Sequence, residues 1–367
     1  MFLTRLSGKM LRPLFGQGVL IALPLLILAN LVLWLGYEMT AESAKERWRA
    51  QSELSADSTL LALEQRRNDL RADLNLLAAN PLLGTAVRQQ DDLLLKRIAA
   101  DWELFVAEKQ LYDHIRLIDS SGMEWLRVDL TPQGASSVPG SFLQDKSQRY
   151  YFQRAMALDA GRIYASPIDL NMENGALEIP YKPMLRLVTP LEDGNGEKTA
   201  LLVLNALASH IFDDLVRQAR LAEGQLLFLD ESGYYLRGFS ASQEWGFMFP
   251  GANAPNQRFD ETYPDIWSEI RQRESGQIDH AKGLFSFRTV KYGSSGYEQR
   301  YRLVVTMLQQ QQSALLEPQR ALWWGVSLTL SVLLLIVSLI MARHRLRLRA
   351  AESFPQEEKP WLWHFFR

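Results

Sequence analysis

Two apolar segments of membrane length bracket about 280 residues, and any fold for this chain has to accommodate them first. Pro13 to Tyr37 runs 25 positions without a charged residue. Roughly 20 apolar residues, at a rise of about 1.5 Å each, cross the hydrocarbon core of a bilayer. Trp34 and Tyr37 close this segment as interfacial aromatics, and a charged helical pattern follows from Glu38. The segment therefore reads as an uncleaved anchor; a signal peptide would have a shorter apolar region ending in a small-residue cleavage site. The second span, 321–342, is opened by Trp323 and Trp324 and followed by Arg343.

Arg5, Lys9 and Arg12 precede the first span, and Arg343, Arg345, Arg347 and Arg349 follow the second. Short flanks rich in Lys and Arg stay cytoplasmic. Residues 1–12 and 343–367 are thus expected inside and 38–320 outside, the two-pass topology of a bacterial inner-membrane protein with a periplasmic domain. The chain has no cysteine, which excludes disulfides, thiolate catalysis and Cys-ligated zinc, and avoids stray crosslinks in an oxidising compartment. The outer segment holds 31 Lys and Arg against 39 Asp and Glu, a formal charge of −8. So acidic a surface argues against nucleic acid as a partner.

From Glu38 to about Ala79 there is no Gly or Pro, and Leu60, Leu63, Leu70, Leu74 and Leu77 recur at helical spacing. A long helix is expected to continue directly from the first span, broken at Pro81 and Gly84. A second helix is expected from about Asp91 to Leu111, closing a helical region over 38–111. A hairpin signal follows: a β-prone run ending at Asp119, the turn Ser120-Ser121-Gly122, and a returning run from Glu124. The same device recurs at Asp230, Glu231-Ser232-Gly233 and Tyr234, displaced by 111 residues. Two hairpins with one Asp-x-Ser-Gly turn predict a duplicated module.

The first module, 112–208, is expected to hold a helix near Gln148–Leu158 and strands near Arg162–Ala165, Met184–Pro190 and Ala200–Leu207. The second, 209–308, begins with a linking helix at His210–Arg220. It continues with a helix near Tyr263–Arg273 and strands at Leu284–Tyr292 and Arg300–Leu308. An exit helix over 309–320 leads into the second span. The expected class is α+β.

Three stretches carry a resemblance. They are Lys-Ser-Gln-Arg-Tyr-Tyr-Phe from Lys146 to Phe152, Tyr-Ala-Ser-Pro-Ile-Asp-Leu-Asn from Tyr164 to Asn171, and Glu-Ile-Pro-Tyr-Lys-Pro-Met-Leu-Arg from Glu178 to Arg186. Together with the two modules and the long helix, they resemble the double Cache sensor domains of bacterial chemoreceptors, histidine kinases and diguanylate cyclases, over about Glu38–Leu308. The resemblance implies two tandem PAS-like modules, the membrane-distal one holding a small ligand between its sheet and a helix-and-loop cover. It also implies an aromatic pair at Tyr150 and Tyr151, with Tyr164 close to a further aromatic position. Arg149 adjoins the pair where the family pattern has an Arg two residues earlier, at Gln148. The late-strand Asp of amino-acid-binding members is Asn205 here, which removes the carboxylate that would pair with an α-ammonium.

Arg127 and Arg186 lie in expected strands whose alternation points them into or away from such a pocket. Asp169 is a ligand contact or, with Asn171, the organiser of a turn; the tyrosines are pocket wall or plain core. The five histidines form no metal or catalytic spacing, and no nucleophile elbow, phosphate loop, kinase or cyclase signature occurs. No metal or cofactor is expected. In the membrane, Gln17, Asn30, Ser327, Thr329, Ser331 and Ser338 suit hydrogen bonds between helices, within a homodimer or to a partner's spans. The aromatic end from Trp361 to Arg367 is expected to lie on the inner leaflet or against a partner.

The expected function is a membrane sensor of a small periplasmic ligand or a ligand-loaded binding protein. It would signal in trans to a separate kinase, cyclase or phosphatase. The rival reading is an adaptor that uses the module pair as a docking surface; a periplasmic enzyme is the remote one.

Overall fold

The computed structural model describes residues 8–89, 91–173, 175–193, 195–220, 224–249, 258–293 and 297–352. The aromatic end and Arg5 lie outside the described residues. The chain divides into two units, Arg49–Gln309 and the pair Met1–Trp48 with Gln310–Arg367.

Helix α1 (Gly8–Ala78) is a single 71-residue helix. The expected leucine stripe is its buried face: Leu63, Leu70, Leu74 and Leu77 are all core residues. One expectation fails at its end. Pro81 does not simply break the helix but opens α2 (Pro81–Gln89), which contains Gly84. Proline suits a first helical turn, where its missing N–H has no partner to lose, and the Asn80 side chain accepts from Leu82 N–H at 2.9 Å. Helix α3 (Asp92–Lys109) is capped by Asp91, whose carboxylate accepts from the N–H groups of Leu93 and Leu94.

The distal module follows. Strands β1 (Tyr112–Asp119), β2 (Glu124–Thr131) and β3 (Gly134–Ser137) lead to the short helix α4 (Tyr150–Met156). Then come β4 (Tyr164–Ala165), β5 (Asp169–Leu170), a small hairpin of β6 (Met172–Glu173) and β7 (Ala176–Leu177), and the long pair β8 (Pro183–Glu192) and β9 (Lys198–Leu207). The antiparallel sheet runs β3-β2-β1-β9-β8-β4, with β5 also on β8. One face presents Ile115, Leu117, Leu187, Leu202 and Leu204 to a core shared with Leu70 and Leu74 of α1 and Ile98, Trp102 and Val106 of α3. The other face meets α4 through Val188, Leu201 and Val203 against Tyr151, Phe152 and Ala155.

Helix α5 (Ala208–Arg220) links to the proximal module: β10 (Gln225–Asp230), β11 (Tyr235–Arg237), α6 (Phe259–Thr262), α7 (Pro264–Gln272), β12 (Ser275–His280), β13 (Gly283–Tyr292) and β14 (Gln299–Leu308). Its sheet runs β11-β10-β14-β13-β12. Strands β3 and β12 carry no apolar alternation, being Gly-Ala-Ser-Ser and Ser-Gly-Gln-Ile-Asp-His, and as sheet edges they need none.

The two hairpin turns are built alike. Asp119 Oδ1 accepts from the N–H groups of Ser121 and Met123, and Asp230 Oδ1 from those of Ser232 and Tyr234, all at 2.8–2.9 Å. Gly122 and Gly233 take φ of 99° and 87°, a region open to glycine.

In the other unit, α8 (Gln309–Glu352) and the start of α1 are long and apolar enough to cross a membrane. Ile27, Val32, Trp34, Leu328 and Ile340 are exposed, as lipid-facing residues would be. Asn30 holds the pair together: its Nδ2 donates to Ser331 Oγ at 3.2 Å, and its Oδ1 accepts from Ser327 Oγ. Thr329 donates back to its own helix at Gly325 O instead of across. The Gln17 side chain lies outside the described residues.

Candidate functional site

Strand register builds a polar row across the α4 side of the distal sheet. Asp129 on β2 pairs with His114 on β1, His114 with Asn205 on β9, and Asn205 with Arg186 on β8. Direct partners in antiparallel strands project to the same side. Arg186 shares its face with Val188, and Asn205 with Val203, the two valines that pack against α4.

Arg186 is 1% exposed, so its charge needs partners close by. Nη1 donates to Asp169 Oδ1 at 2.5 Å and to the Tyr150 hydroxyl at 3.4 Å. Nη2 donates to Asn171 Oδ1 at 3.2 Å. The Tyr150 hydroxyl donates to Asp169 Oδ2 at 2.9 Å, and the guanidinium sits 5.7 Å from the centre of the Tyr151 ring. The backbone is held too, Arg186 N–H donating to Ser166 Oγ at 3.0 Å. Burial alone would lower the Arg186 pKa, but Asp169 and Tyr150 together raise it, so the side chain stays charged. Burial and the Asp169 carboxylate push the Tyr150 hydroxyl up, so it stays a donor.

Beyond Arg186 the polar groups continue as a chain of pairs. Asn171 Nδ2 donates to Glu178 at 2.8 Å, Lys182 reaches Glu178 at 2.6 Å and Asp113 at 3.0 Å, and His114 lies 2.7 Å from Asp113 and 2.8 Å from Asp129. Arg127 Nε stands 3.1 Å from Asp129 and its Nη1 3.2 Å from Glu124, which Arg116 also meets at 3.0 Å. Burial works to raise the Asp113 carboxyl, yet His114 and Lys182 hold it at about 2.

Asn205 stands apart from these pairs. It is fully buried between His114 and Arg186 in the row, and neither its Oδ1 nor its Nδ2 has a hydrogen-bond partner among the described residues. Buried side-chain amides are nearly always paired.

Tyr150, Tyr151, Asp169, Arg186 and Asn205 are thus gathered on one face. Tyr164 joins their margin, its hydroxyl accepting from Arg154 Nη1 at 3.0 Å. Arg154 in turn lies over the rings of Tyr150 and Tyr297, at 5.6 and 4.9 Å. Tyr297 comes from the β13–β14 connection of the proximal module. Arg127 belongs to the neighbouring ion-pair row. Arg149 precedes α4 without a side-chain capping bond and outside the cluster. Asp169 and Asn171 both bind Arg186, and Asn171 also ties the two ends of the β6–β7 hairpin together, its backbone O accepting from Glu178 N–H at 3.0 Å.

Sequence reading passed over His114, Asp113, Lys182, Glu178, Asp129, Arg154 and Tyr297. The alternation of β1 does place His114 and Arg116 on one face, which was the available signal. A separate hollow of about 270 Å³ lies in the proximal module by Arg220, Gln225, Arg237 and Glu244, away from this row.

The arrangement is a buried polar face under an aromatic helix, and known proteins share the fold that frames it. The bacterial histidine kinase sensor domain model matches residues 60–305. The extracellular domain of the putative histidine kinase vpHK1S-Z8 is 24% identical with a TM-score of 0.62, covering 76% of this chain and 94% of that one. A domain of a putative sensory box/GGDEF family protein from Vibrio parahaemolyticus is 25% identical with a TM-score of 0.62, covering 76% and 99%. The periplasmic sensory domain of the Campylobacter jejuni chemoreceptor Tlp1 is 10% identical with a TM-score of 0.49, covering 71% and 96%. Among curated proteins none matches. The expected double Cache architecture is therefore the observed one, a periplasmic-type sensor domain flanked by two candidate transmembrane helices: the chain belongs to the bacterial histidine kinase sensor domain family.

Proposed function

We propose that the protein is a two-pass inner-membrane sensor, with residues 38–320 in the periplasm and both flanks inside. It detects a small ligand, free or delivered by a binding protein, on the α4 face of the distal module. One observation carries this reading: a fully buried Asn205 with an unpaired amide, beside a buried Arg186 framed by Tyr150 and Tyr151. A module stabilised only for its own sake has little use for such a face. The expected ligand set of Tyr150, Tyr151, Tyr164, Asp169, Arg186 and Asn205 fits here, with Arg127 next to it and Arg149 outside.

Arg154 and Tyr297 give the face a physical link to the proximal module, and Tyr301 adds another by accepting from Ile168 N–H at 3.0 Å. In this reading the chain is not an enzyme, and α1 and α8 pass the change to a separate kinase, cyclase or phosphatase in the membrane.

The test is thermal unfolding of the full-length protein in mild detergent against amino acids, organic acids, amines and nucleobases. A ligand at 100 times its dissociation constant adds roughly 2.7 kcal/mol. Tyr151→Ala and Tyr150→Phe should lose the shift while remaining folded. No shift across the panel would defeat ligand sensing in favour of the adaptor reading, which the mutually satisfied charges around Arg186 also suit. Trans signalling is tested by affinity purification from ligand-exposed cells; consistent recovery of the chain alone counts against it.

A further inference from the structure

The ligand's chemical class can be read from what the distal face leaves unpaired, an inference that rests on the ligand-sensing function proposed above. Each ionisable side chain along the row already has an ionisable partner. Arg186 is held by Asp169, His114 lies between Asp113 and Asp129, Lys182 bridges Asp113 and Glu178, and Arg127 meets Glu124 and Asp129, all within 3.2 Å. A carboxylate or ammonium entering here would have to break one of these buried pairs and strand the released partner. Asn205 is different. Its amide is neutral, fully buried and, among the described residues, bare at both ends, offering one acceptor and one donor group side by side. Arg186, its cross-strand partner, lies over the Tyr151 ring, and Tyr150 packs edge-on against Tyr151, so aromatic surface lies on the same face.

We infer that the ligand is an uncharged molecule carrying an adjacent donor and acceptor, such as a primary amide, a lactam or a nucleobase edge, and that Asn205 reads that edge. Two hydrogen bonds to a side-chain amide are the same geometry by which Asn pairs with an adenine edge. A ligand lacking either half leaves a buried group of Asn205 unpaired and is rejected.

The experiment uses the detergent-solubilised full-length protein and calorimetric titration with three sets of probes. The neutral set is propionamide, 2-pyrrolidone, uracil and adenine; the anionic set is acetate and succinate; the cationic and zwitterionic set is propylamine and L-alanine. The expected result is binding within the neutral set only. Asn205→Leu should weaken it by roughly 10- to 100-fold, and Asn205→Asp should weaken neutral probes while admitting propylamine.

Binding confined to charged probes, or neutral binding that both Asn205 variants leave intact, overturns the class assignment and leaves the sensor reading standing. No binding by any set defeats the sensor reading itself, and the inference with it.

Discussion

The two modules share a hairpin but not an interior. Displaced by 111 residues, Asp119 and Asp230 close identical turns, and the strands that follow keep the same register. His114 pairs with Asn205, and its counterpart Gln225 pairs with Thr306; Arg186 opposes Asn205, and Phe285 opposes Thr306. Arg116 corresponds to Leu227, and Val188 to Phe287. The proximal face is then closed by Phe259, Ile266 and Trp267 into an apolar core. The same scaffold therefore holds a packed interior in one copy and a buried polar row in the other. Buried ion pairs seldom improve on well-packed apolar residues, so the polar row is the feature of the distal copy on which the sensing proposal rests.

The largest test of this contrast is Phe285→Ala, which should cost the domain about 4 kcal/mol by opening a cavity, read by denaturant unfolding, while ligand affinity stays unchanged. A loss of binding would show that the proximal face takes part in recognition. Next, Arg186→Met should cost about 3 kcal/mol, because Asp169 loses its buried counter-charge. The double change Arg186→Met with Asp169→Leu should recover most of it. Failure to recover would mean the pair is not a unit.

Acid should split the modules. Asp113 is lowered from 3.8 to about 2 and Asp129 is also lowered, so their stabilisation is full above pH 4 and is lost as pH falls toward 2. For Asp113 this amounts to roughly 2 kcal/mol. Asp230 and Glu244 in the proximal module are raised, chiefly by burial. The folded state holds their protons more tightly, so acidification relieves them. Hydrogen exchange, corrected for intrinsic rates, should show 112–131 opening before 225–237, and Asp113→Asn should narrow the gap.

The smallest effect distinguishes the turns themselves. A Cβ on Gly122 would lie 2.5 Å from the Ser147 backbone, whereas one on Gly233 meets the Asp260 side chain at 2.8 Å, which can swing aside. Gly122→Ala should thus cost more than Gly233→Ala, about 2 against about 1 kcal/mol. The reverse order would mean that Ser147 yields more easily than Asp260.

What was legible in the sequence was what depends on near neighbours. The Asp-x-Ser-Gly turns, the leucine stripe of α1 and the two spans all announce themselves within a few residues. Tyr150 and Tyr151 were found through resemblance, and their meeting with Arg186 depends on contacts some 36 residues apart. The row was not legible, because it is assembled by register between β1, β9 and β8: His114 and Asn205 are 91 positions apart, and nothing local tells which strand residue faces which. Pro81 misled because the same residue that ends one helix can begin another.

Asn30 clasps two serines that are four residues apart on α8, one helical turn. A slide of one span along the other by a full turn, about 5.4 Å, would carry it off one serine and opposite Trp323 or Leu335, leaving it one cross-helix partner beside its own-helix bond to Leu26 O. The clasp works as a detent. Under the sensing proposal, a signal passing between these spans would travel as a pivot or a shift of less than a turn about Asn30, and Asn30→Leu would remove that restraint.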